Sequence, residues 1–448
     1  MACKPVTLQE LLAAREARVR TQEQLLARHK VPLICFTMNI AGPVKTSPLI
    51  CRGFRLGCRL LEQQLLRLKA PVLEQRCDEA DTGCEAFYAV DLPAEELKEM
   101  TVELEEGTAL GRLFDLDVLQ PDGTKLGRPV ERACLICGRP GRACARSRTH
   151  GVEELQAKTT ELLEQALAEY DRETVGELAV RALLYEVCTT PKPGLVDRSN
   201  NGSHRDMDMF TFLSSASALG PYFRRCARIG QETACKAPEE TFRALRVPGK
   251  LAEGAMLAVT GGVNTHKGAV FTLGILCAAL GRLERSMWAD PAAMAGQCAA
   301  MTRGLVAREL AGLTEETART AGERLYVRYG VTGIRGQLEA GLPAVLHHGL
   351  PAMERALARG EGLDAAGSQA LLALIAAAED TNLMARGGVE AQRDAAAEAA
   401  GLLARKPDRN CLEALDHRYI ACNLSPGGSA DLLAVCYLLH FLRDEIGQ

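Results

Sequence analysis

The sequence predicts two domains: an N-terminal mixed domain, α/β or α+β, and a C-terminal domain made of helices alone. Three observations carry this. At 448 residues the chain exceeds what one ordinary core accommodates. In its first part, short apolar runs bounded by turn residues alternate with helical periodicity. Beyond residue 190 nearly every apolar stretch repeats at helical spacing. The boundary is expected near residue 170, within a helix or its frayed end, giving segments 1–170 and 171–448.

The elements follow in order. "VPLICFTMNI" (31–40), "CEAFYAV" (84–90), "TVELEEG" (101–107) and "RLFDLDVL" (112–119) read as strands. "RGFRLGCRLLEQQLLRL" (52–68) places leucines at helical spacing, and "QPDGT" (120–124) is a turn that ends the last strand. From 152, "VEELQAKTTELLEQALAEY" opens the helical part. "ELAVRALLYEV" (177–187), "KGAVFTLGILCAALGRL" (267–283), "GSQALLALIAAAED" (367–380) and "ADLLAVCYLLHFLRDEI" (430–446) continue it.

Composition narrows the function. The chain is 47% hydrophobic and 25% charged with a net charge of -4, so no basic balance points to a nucleic-acid partner. Aromatics at 4%, with one Trp, offer little for stacking bases. The N-terminus "MACKPVTLQELLAAREARVRTQEQLL" carries charges at helical spacing and no apolar signal core. The run "GAVFTLGILCAALG" (268–281) is too short for a bilayer and reads as a buried helix, so no membrane is expected. Seventeen scattered cysteines fit reduced thiols and a cytoplasmic protein.

In "GRLFDLDVL" a strand would put Leu113, Asp115 and Asp117 on one face, opposite Phe114, Leu116 and Val118. Two adjacent carboxylates repel and stay ionised only beside positive charge. Mg²⁺ carrying a polyphosphate is one candidate to supply it, and solvent around an edge strand is the other; on the first reading Asp115 and Asp117 are the metal ligands and catalytic pair. Glu103 and Glu105 are candidates for a third carboxylate, and Lys45 and Arg112 for phosphate contacts. In "CLICGRPGRACARSRTH" (134–150), Cys134, Cys137, Cys144 and His150 have ligand types that Zn²⁺ uses. With one tight cysteine pair rather than two, and four arginines alongside, reduced cysteines in a basic loop are preferred over structural zinc.

"FTMNIAGPVK", "GRLFDLDVL" and "CLICGRPGRACARSRTH", in this order, resemble holo-citrate lyase synthase over about residues 7–165. The resemblance implies a nucleotidyltransferase-like domain. Its reaction moves a phosphoribosyl-dephospho-CoA onto a serine of the apo-citrate lyase acyl carrier (γ) subunit and releases pyrophosphate.

The helical part has four polar motifs. "EVCTTPKPGLVDRSNNGSHRDMDMFTFL" (186–213) collects Glu186, Lys192, His204, Asp206 and Asp208 between two helices. Asp206 and Asp208 are candidates for Mg²⁺, Lys192 for phosphate. "GGVNTHKGAVFTLG" (261–274) leads Asn264, His266 and Lys267 into a helix N-terminus, a ready anion site. "EDTNLMARGG" (379–388) adds Asp380, Asn382 and Arg386, and "NLSPGGSADLLA" (423–434) adds Asp431, each at a helix end. Meeting from separate helices, the four would form one interhelical pocket.

"TPKPGLVDRSNNGSHRDMDMFTF", "GVNTHKGA", "DTNLMARGG" and "SPGGSADLLA" resemble triphosphoribosyl-dephospho-CoA synthase over about 175–440. The resemblance implies attack of the ribose 2'-hydroxyl of 3'-dephospho-CoA on C1 of the ATP ribose, with adenine leaving. Lys192, Lys267 and Arg386 are then expected on phosphates, and Glu186 or His204 as base. The expected chain is a bifunctional transferase. Two rivals stand beside it: the same chemistry serving malonate decarboxylase, and a non-catalytic, zinc-stabilised binding module on a helical scaffold.

Overall fold

Thr7 and Glu10 cap each other, Thr7 Oγ1 accepting from the Glu10 N–H, and so start α1 (Leu8–His29). The structure, a computed structural model, describes residues 4–405 and 407–447; the first three residues of the charged N-terminal stretch lie outside it. The chain divides into two units, Met1–Tyr170 and Asp171–Gln448, and the division falls inside one helix, Val152–Cys188.

The first unit continues through β1 (Leu33–Met38), α2 (Pro48–Arg67), β2 (Val72–Ala80), β3 (Gly83–Val90), α3 (Ala94–Gly107), β4 (Phe114–Leu119) and α4 (Gly141–Ser147). Its sheet runs β2-β3-β1-β4, every pairing antiparallel, so the unit is α+β rather than α/β. Ile34, Phe36, Tyr88, Leu116 and Val118 enter the main core with Phe54 and Leu61 of α2 and Leu97 of α3. On the other face Leu33, Cys35, Phe87 and Ala89 meet Leu25 and Leu26 of α1. With both faces covered, β1 and β3 are nearly continuous apolar runs.

One expectation about this unit is corrected, and one strand went unread. Residues 101–107 are helical, the end of α3: its buried Leu97, Met100, Thr101 and Leu104 recur at three and four residues, a period that a window opening at 101 cuts short. β2 escapes sequence reading because "VLEQRCDEA" is exposed at most positions and has no apolar face to alternate. Its charges suit an edge strand. At the opposite edge α3 takes the place of a fifth strand. Lys98 Nζ donates to the Leu116 carbonyl at 3.1 Å, and the Leu116 N–H donates to Glu105 Oε1 at 2.7 Å.

The second unit has no strand among its described residues. After Val152–Cys188 (α5) come α6 (Met209–Glu232), α7 (Pro238–Val259) and α8 (Lys267–Arg282). The later helices include Leu363–Ala377, Thr381–Arg405 (broken at Gly388), Arg409–Ala421 and Gly427–Gly447. α8 is apolar on every side and lies at the centre: Leu273, Leu276 and Leu280 share one core with Phe223, Leu371, Leu374, Leu433 and Leu438. No described helix is long and apolar enough to cross a membrane.

Candidate functional site

In the first unit β4 presents Asp115 and Asp117 on the face opposite Leu116, in register with Thr37 and Cys35 of β1. Both side chains are half-buried. Burial first, and then the neighbouring Asp117, push the Asp115 carboxyl above its usual range; Lys125 and Arg132 pull against that shift. Lys125 Nζ lies 2.5 Å from Asp117 Oδ2, so the pair does have a cation beside it. It is Lys125, and not Lys45, whose ammonium goes to the Ile40 carbonyl at 2.6 Å. Neither third-carboxylate candidate joins the pair. Glu103 is exposed, and Glu105 is buried against the Leu116 N–H.

Arg112 faces elsewhere. With Arg132 and Arg148 it lines a cavity of about 820 Å³ that Asp115 and Asp117 do not line. The Arg112 guanidinium donates to the Ala133 carbonyl at 2.7 Å, while Arg132 Nη1 donates to the Phe114 carbonyl at 2.5 Å. Cys134, Cys144 and His150 form part of the same wall. With Cys137 they bring four ligand atoms within 4.8 Å of one another.

In the second unit the four polar motifs open onto one cavity of about 390 Å³. Glu186, Lys192 and His204 line it from the first motif, Asn264, His266 and Lys267 from the second. Asn382 and Arg386 come from the third and Asp431 from the fourth. Lys192 is drawn inward because its N–H donates to Asp197 Oδ2 at 3.0 Å, while Asp197 Oδ1 accepts from Ser199 and Asn200. Lys192 Nζ then meets Glu186 Oε1 at 2.5 Å, with both side chains buried. Burial raises the Glu186 pKa, and the ammonium opposes that shift.

His266 stands just ahead of α8. The Thr265 hydroxyl donates to Ser215 Oγ at 2.8 Å, and Ser215 Oγ lies 2.7 Å from His266 Nδ1. Ser215 Oγ and His266 Nδ1 thus share one hydrogen bond, whose direction follows the ring's tautomer. His266 Nε2 is buried with no protein partner, and burial holds the ring's pKa down to about 3. The ring is neutral and stands on the cavity wall. The free amides of α8 are not all left for a ligand, because the Ala269 N–H donates to the Asp431 carboxylate. Asp431 is packed so closely that a Cβ on Gly268 would stand 1.8 Å from its Oδ2. Burial, with Glu186 and Asp380 nearby, pushes its pKa well up.

Asp206, Asp208 and Asp380 fall outside the cavity lining. Asp208 caps α6, accepting from the Thr211 N–H and hydroxyl at 2.8 and 2.7 Å. Asp206 is exposed. The two were expected to hold a metal together; "DMFT" is instead a helix start, with the aspartate and threonine capping each other. Asp380 lies behind the wall and fastens two helix starts. Its Oδ1 accepts from the Asn382 and Leu383 N–H groups, and its Oδ2 from the Ser429 N–H and hydroxyl. His204 has both ring nitrogens engaged, Nε2 with Ser425 Oγ at 3.0 Å and Nδ1 with Arg386 Nη2 at 3.3 Å.

Sequence reading missed Gln337, Ser215 and Ser425. Ser425 sits inside the "SPGG" motif and was within reach. Gln337 lines the cavity from a short helix outside every motif, and Ser215 reaches His266 from mid-α6; nothing local marks either.

Residues 172–448 match the family model described as ATP:dephospho-CoA triphosphoribosyl transferase. Residues 6–166 match the one described as apo-citrate lyase phosphoribosyl-dephospho-CoA transferase. The class is therefore a bifunctional transferase, and the reading as a non-catalytic binding module is set aside. The chain is 36% identical to Protein CitXG of Haemophilus influenzae, across 96% of its own length and 95% of that protein. It is 32% identical to Protein CitXG of Leuconostoc mesenteroides subsp. cremoris, across 97% of each. Over 60% of its length it is 44% identical to 2-(5''-triphosphoribosyl)-3'-dephosphocoenzyme-A synthase of Pectobacterium atrosepticum, covering 90% of that protein. The chain belongs to the CitXG family, the fused form of the two transferases of citrate lyase prosthetic-group synthesis.

Proposed function

We propose that residues 171–448 join ATP and 3'-dephospho-CoA into 2'-(5''-triphosphoribosyl)-3'-dephospho-CoA, releasing adenine. Residues 1–170, as a nucleotidyltransferase-like domain, then transfer the phosphoribosyl-dephospho-CoA part to a serine of the apo-citrate lyase acyl carrier (γ) subunit, releasing pyrophosphate. The reaction belongs to the cytoplasm, where apo-lyase, ATP and reduced thiols coexist. The observation that carries this reading is the convergence of Lys192, Lys267, Arg386, Glu186 and Asp431 on one cavity, cations and carboxylates together.

In the second unit Lys192, Lys267 and Arg386 hold the triphosphate, with Asn264 and Asn382 on neutral polar groups. Glu186 is the better base, since His204 has both nitrogens bonded already. A carboxylate raised by burial accepts the 2'-hydroxyl proton more readily than an ordinary one. Lys192, at 2.5 Å, keeps it ionised until then. His266 Nε2, buried without a protein partner on a neutral ring, offers a hydrogen bond without adding charge, suited to the departing adenine or the sugar ring. In the first unit the Asp115–Asp117 pair prepares the serine attack, and Arg112 with Arg132 takes phosphate charge. Mg²⁺ fits the hard oxygen donors that Asp115 and Asp117 offer, and Asp431 in the second unit; bound there it would neutralise polyphosphate charge.

The test is to incubate the full chain with ATP, 3'-dephospho-CoA, Mg²⁺ and the purified carrier subunit, and to read the carrier by intact-mass spectrometry. Gain of the phosphoribosyl-dephospho-CoA mass, with free adenine in solution, is the expected result. An unmodified carrier would refute the assignment. Running the malonate decarboxylase carrier in parallel decides between the two acceptors.

A further inference from the structure

We propose that Cys134, Cys137, Cys144 and His150 bind one Zn²⁺, and that this ion fixes the arginine-bearing wall of the 820 Å³ cavity. The four ligand atoms, three sulfurs and one imidazole nitrogen, all lie within 4.8 Å of one another. Thiolate–zinc bonds of about 2.3 Å in a tetrahedron set neighbouring sulfurs roughly 3.8 Å apart. Cys137 Sγ and Cys144 Sγ are 3.4 Å apart as free thiols, within a small adjustment of that spacing.

The backbone is built to deliver these groups. Gly138, at φ +73°, lets the chain reverse directly after Cys137. The Cys134 N–H donates to the Arg139 carbonyl at 2.6 Å and the Gly138 N–H to the Cys134 carbonyl at 3.2 Å, closing a tight knuckle around Cys134 and Cys137. The Gly141 N–H donates to the Arg132 carbonyl at 2.8 Å where α4 begins, and α4 carries Cys144. His150 follows the end of that helix. Its Nδ1 lies 3.3 Å from Glu154 Oε2, while its Nε2 is buried with no hydrogen-bond partner. A carboxylate on one imidazole nitrogen and a vacant second nitrogen is the usual outer arrangement of a zinc-bound histidine.

Packing gives an independent reason. Across residues 121–150 Cys144 is the sole buried residue, so the segment has almost no core of its own. Segments this poor in apolar burial hold one shape with a metal or a disulfide, and these cysteines are not disulfide-bonded. The loop also has work to do. Its Ala133 carbonyl holds Arg112, its Arg132 reaches the Phe114 carbonyl, and its Arg148 joins them on the cavity wall. The ligand class for that wall, a polyphosphate, rests on the proposed function; the zinc site does not.

Metal analysis of the full chain after exhaustive EDTA dialysis should find one zinc per molecule. Cys137→Ser should lose it, whereas Cys77→Ser, on the exposed edge strand, should keep it. Wild-type protein stripped under denaturing conditions and refolded with Co²⁺ should show thiolate-to-cobalt charge transfer with tetrahedral d–d bands, which covers the case of a Cys137→Ser chain that fails to fold. His150→Ala should reduce carrier loading by about tenfold or more while adenine release stays at wild-type level. Absence of stoichiometric zinc together with no thiolate–cobalt spectrum overturns the site. Bound zinc whose loss leaves loading unchanged overturns its role in the cavity. A wild-type chain that never loads the carrier indicts the proposed function instead, and the zinc measurement still decides this one.

Discussion

Asp115 is kept ionisable in a place that disfavours its charge. Burial and Asp117 raise its pKa in the folded chain, so the native state binds that proton more tightly than the unfolded chain does. Its contribution to stability is complete below the unfolded value, about 3.9, and is lost as pH rises through the folded value. Asp115→Asn should therefore melt at a higher temperature than wild type at pH 7, with the gain fading by about pH 4. The same variant should lose carrier loading. Thermal melts across that pH range check the first outcome and carrier mass the second; a variant less stable at pH 7 would contradict the sign. Gly268 poses the opposite case. A methyl group there collides with the Asp431 carboxylate and pushes it off the Ala269 N–H that it accepts from. Gly268→Ala should cost about 1–3 kcal/mol in denaturant unfolding and sharply slow adenine release.

Elements were legible where burial leaves a pattern. α8 announced itself by an apolar run longer than any strand needs, and β4 by the alternation of Phe114, Leu116 and Val118 against two aspartates. β2 left no pattern, because an edge strand exposed on both faces has no reason to alternate. The site was legible to the extent that polar residues crowd at helix ends. What sequence could not supply was direction. Asp208 and Asp431 both sit beside a helix start, yet the first caps its own helix and the second reaches α8 and the cavity. Nor does local spacing reveal that α3, rather than another strand, closes the edge of β4. That closure can be tested. Glu105→Ala would leave the Leu116 N–H buried without an acceptor and Arg128 and Arg132 without their shared carboxylate, 3.6 and 3.9 Å away. The expected loss is about 1–3 kcal/mol, read as a lower denaturation midpoint for the sheet-containing unit of the full chain. Glu105→Gln, which retains an acceptor oxygen, should lose less.

At the scale of the whole molecule, each candidate site lies inside one of the two units: Asp115, Asp117 and the arginine-lined cavity in the first, the cavity of the four motifs in the second. Each unit also has a separate hydrophobic core. A point change confined to one site should therefore spare the other chemistry. Asp115→Asn should release adenine from ATP at the wild-type rate and leave the carrier unmodified. Glu186→Gln should release no adenine, yet still load the carrier when supplied with ready-made triphosphoribosyl-dephospho-CoA. Mixed in equal amounts with ATP and dephospho-CoA, the two variants should restore loading, because the product of one is the substrate of the other. The rate of that mixture against wild type at equal site concentration then measures what the fusion does. Equal rates mean the intermediate crosses through solution; a wild-type advantage that disappears on adding excess intermediate means the joined chain shortens its path. A mixture that loads no carrier at all, with each variant folded and active in its own half-reaction, would show that the two sites do not function separately.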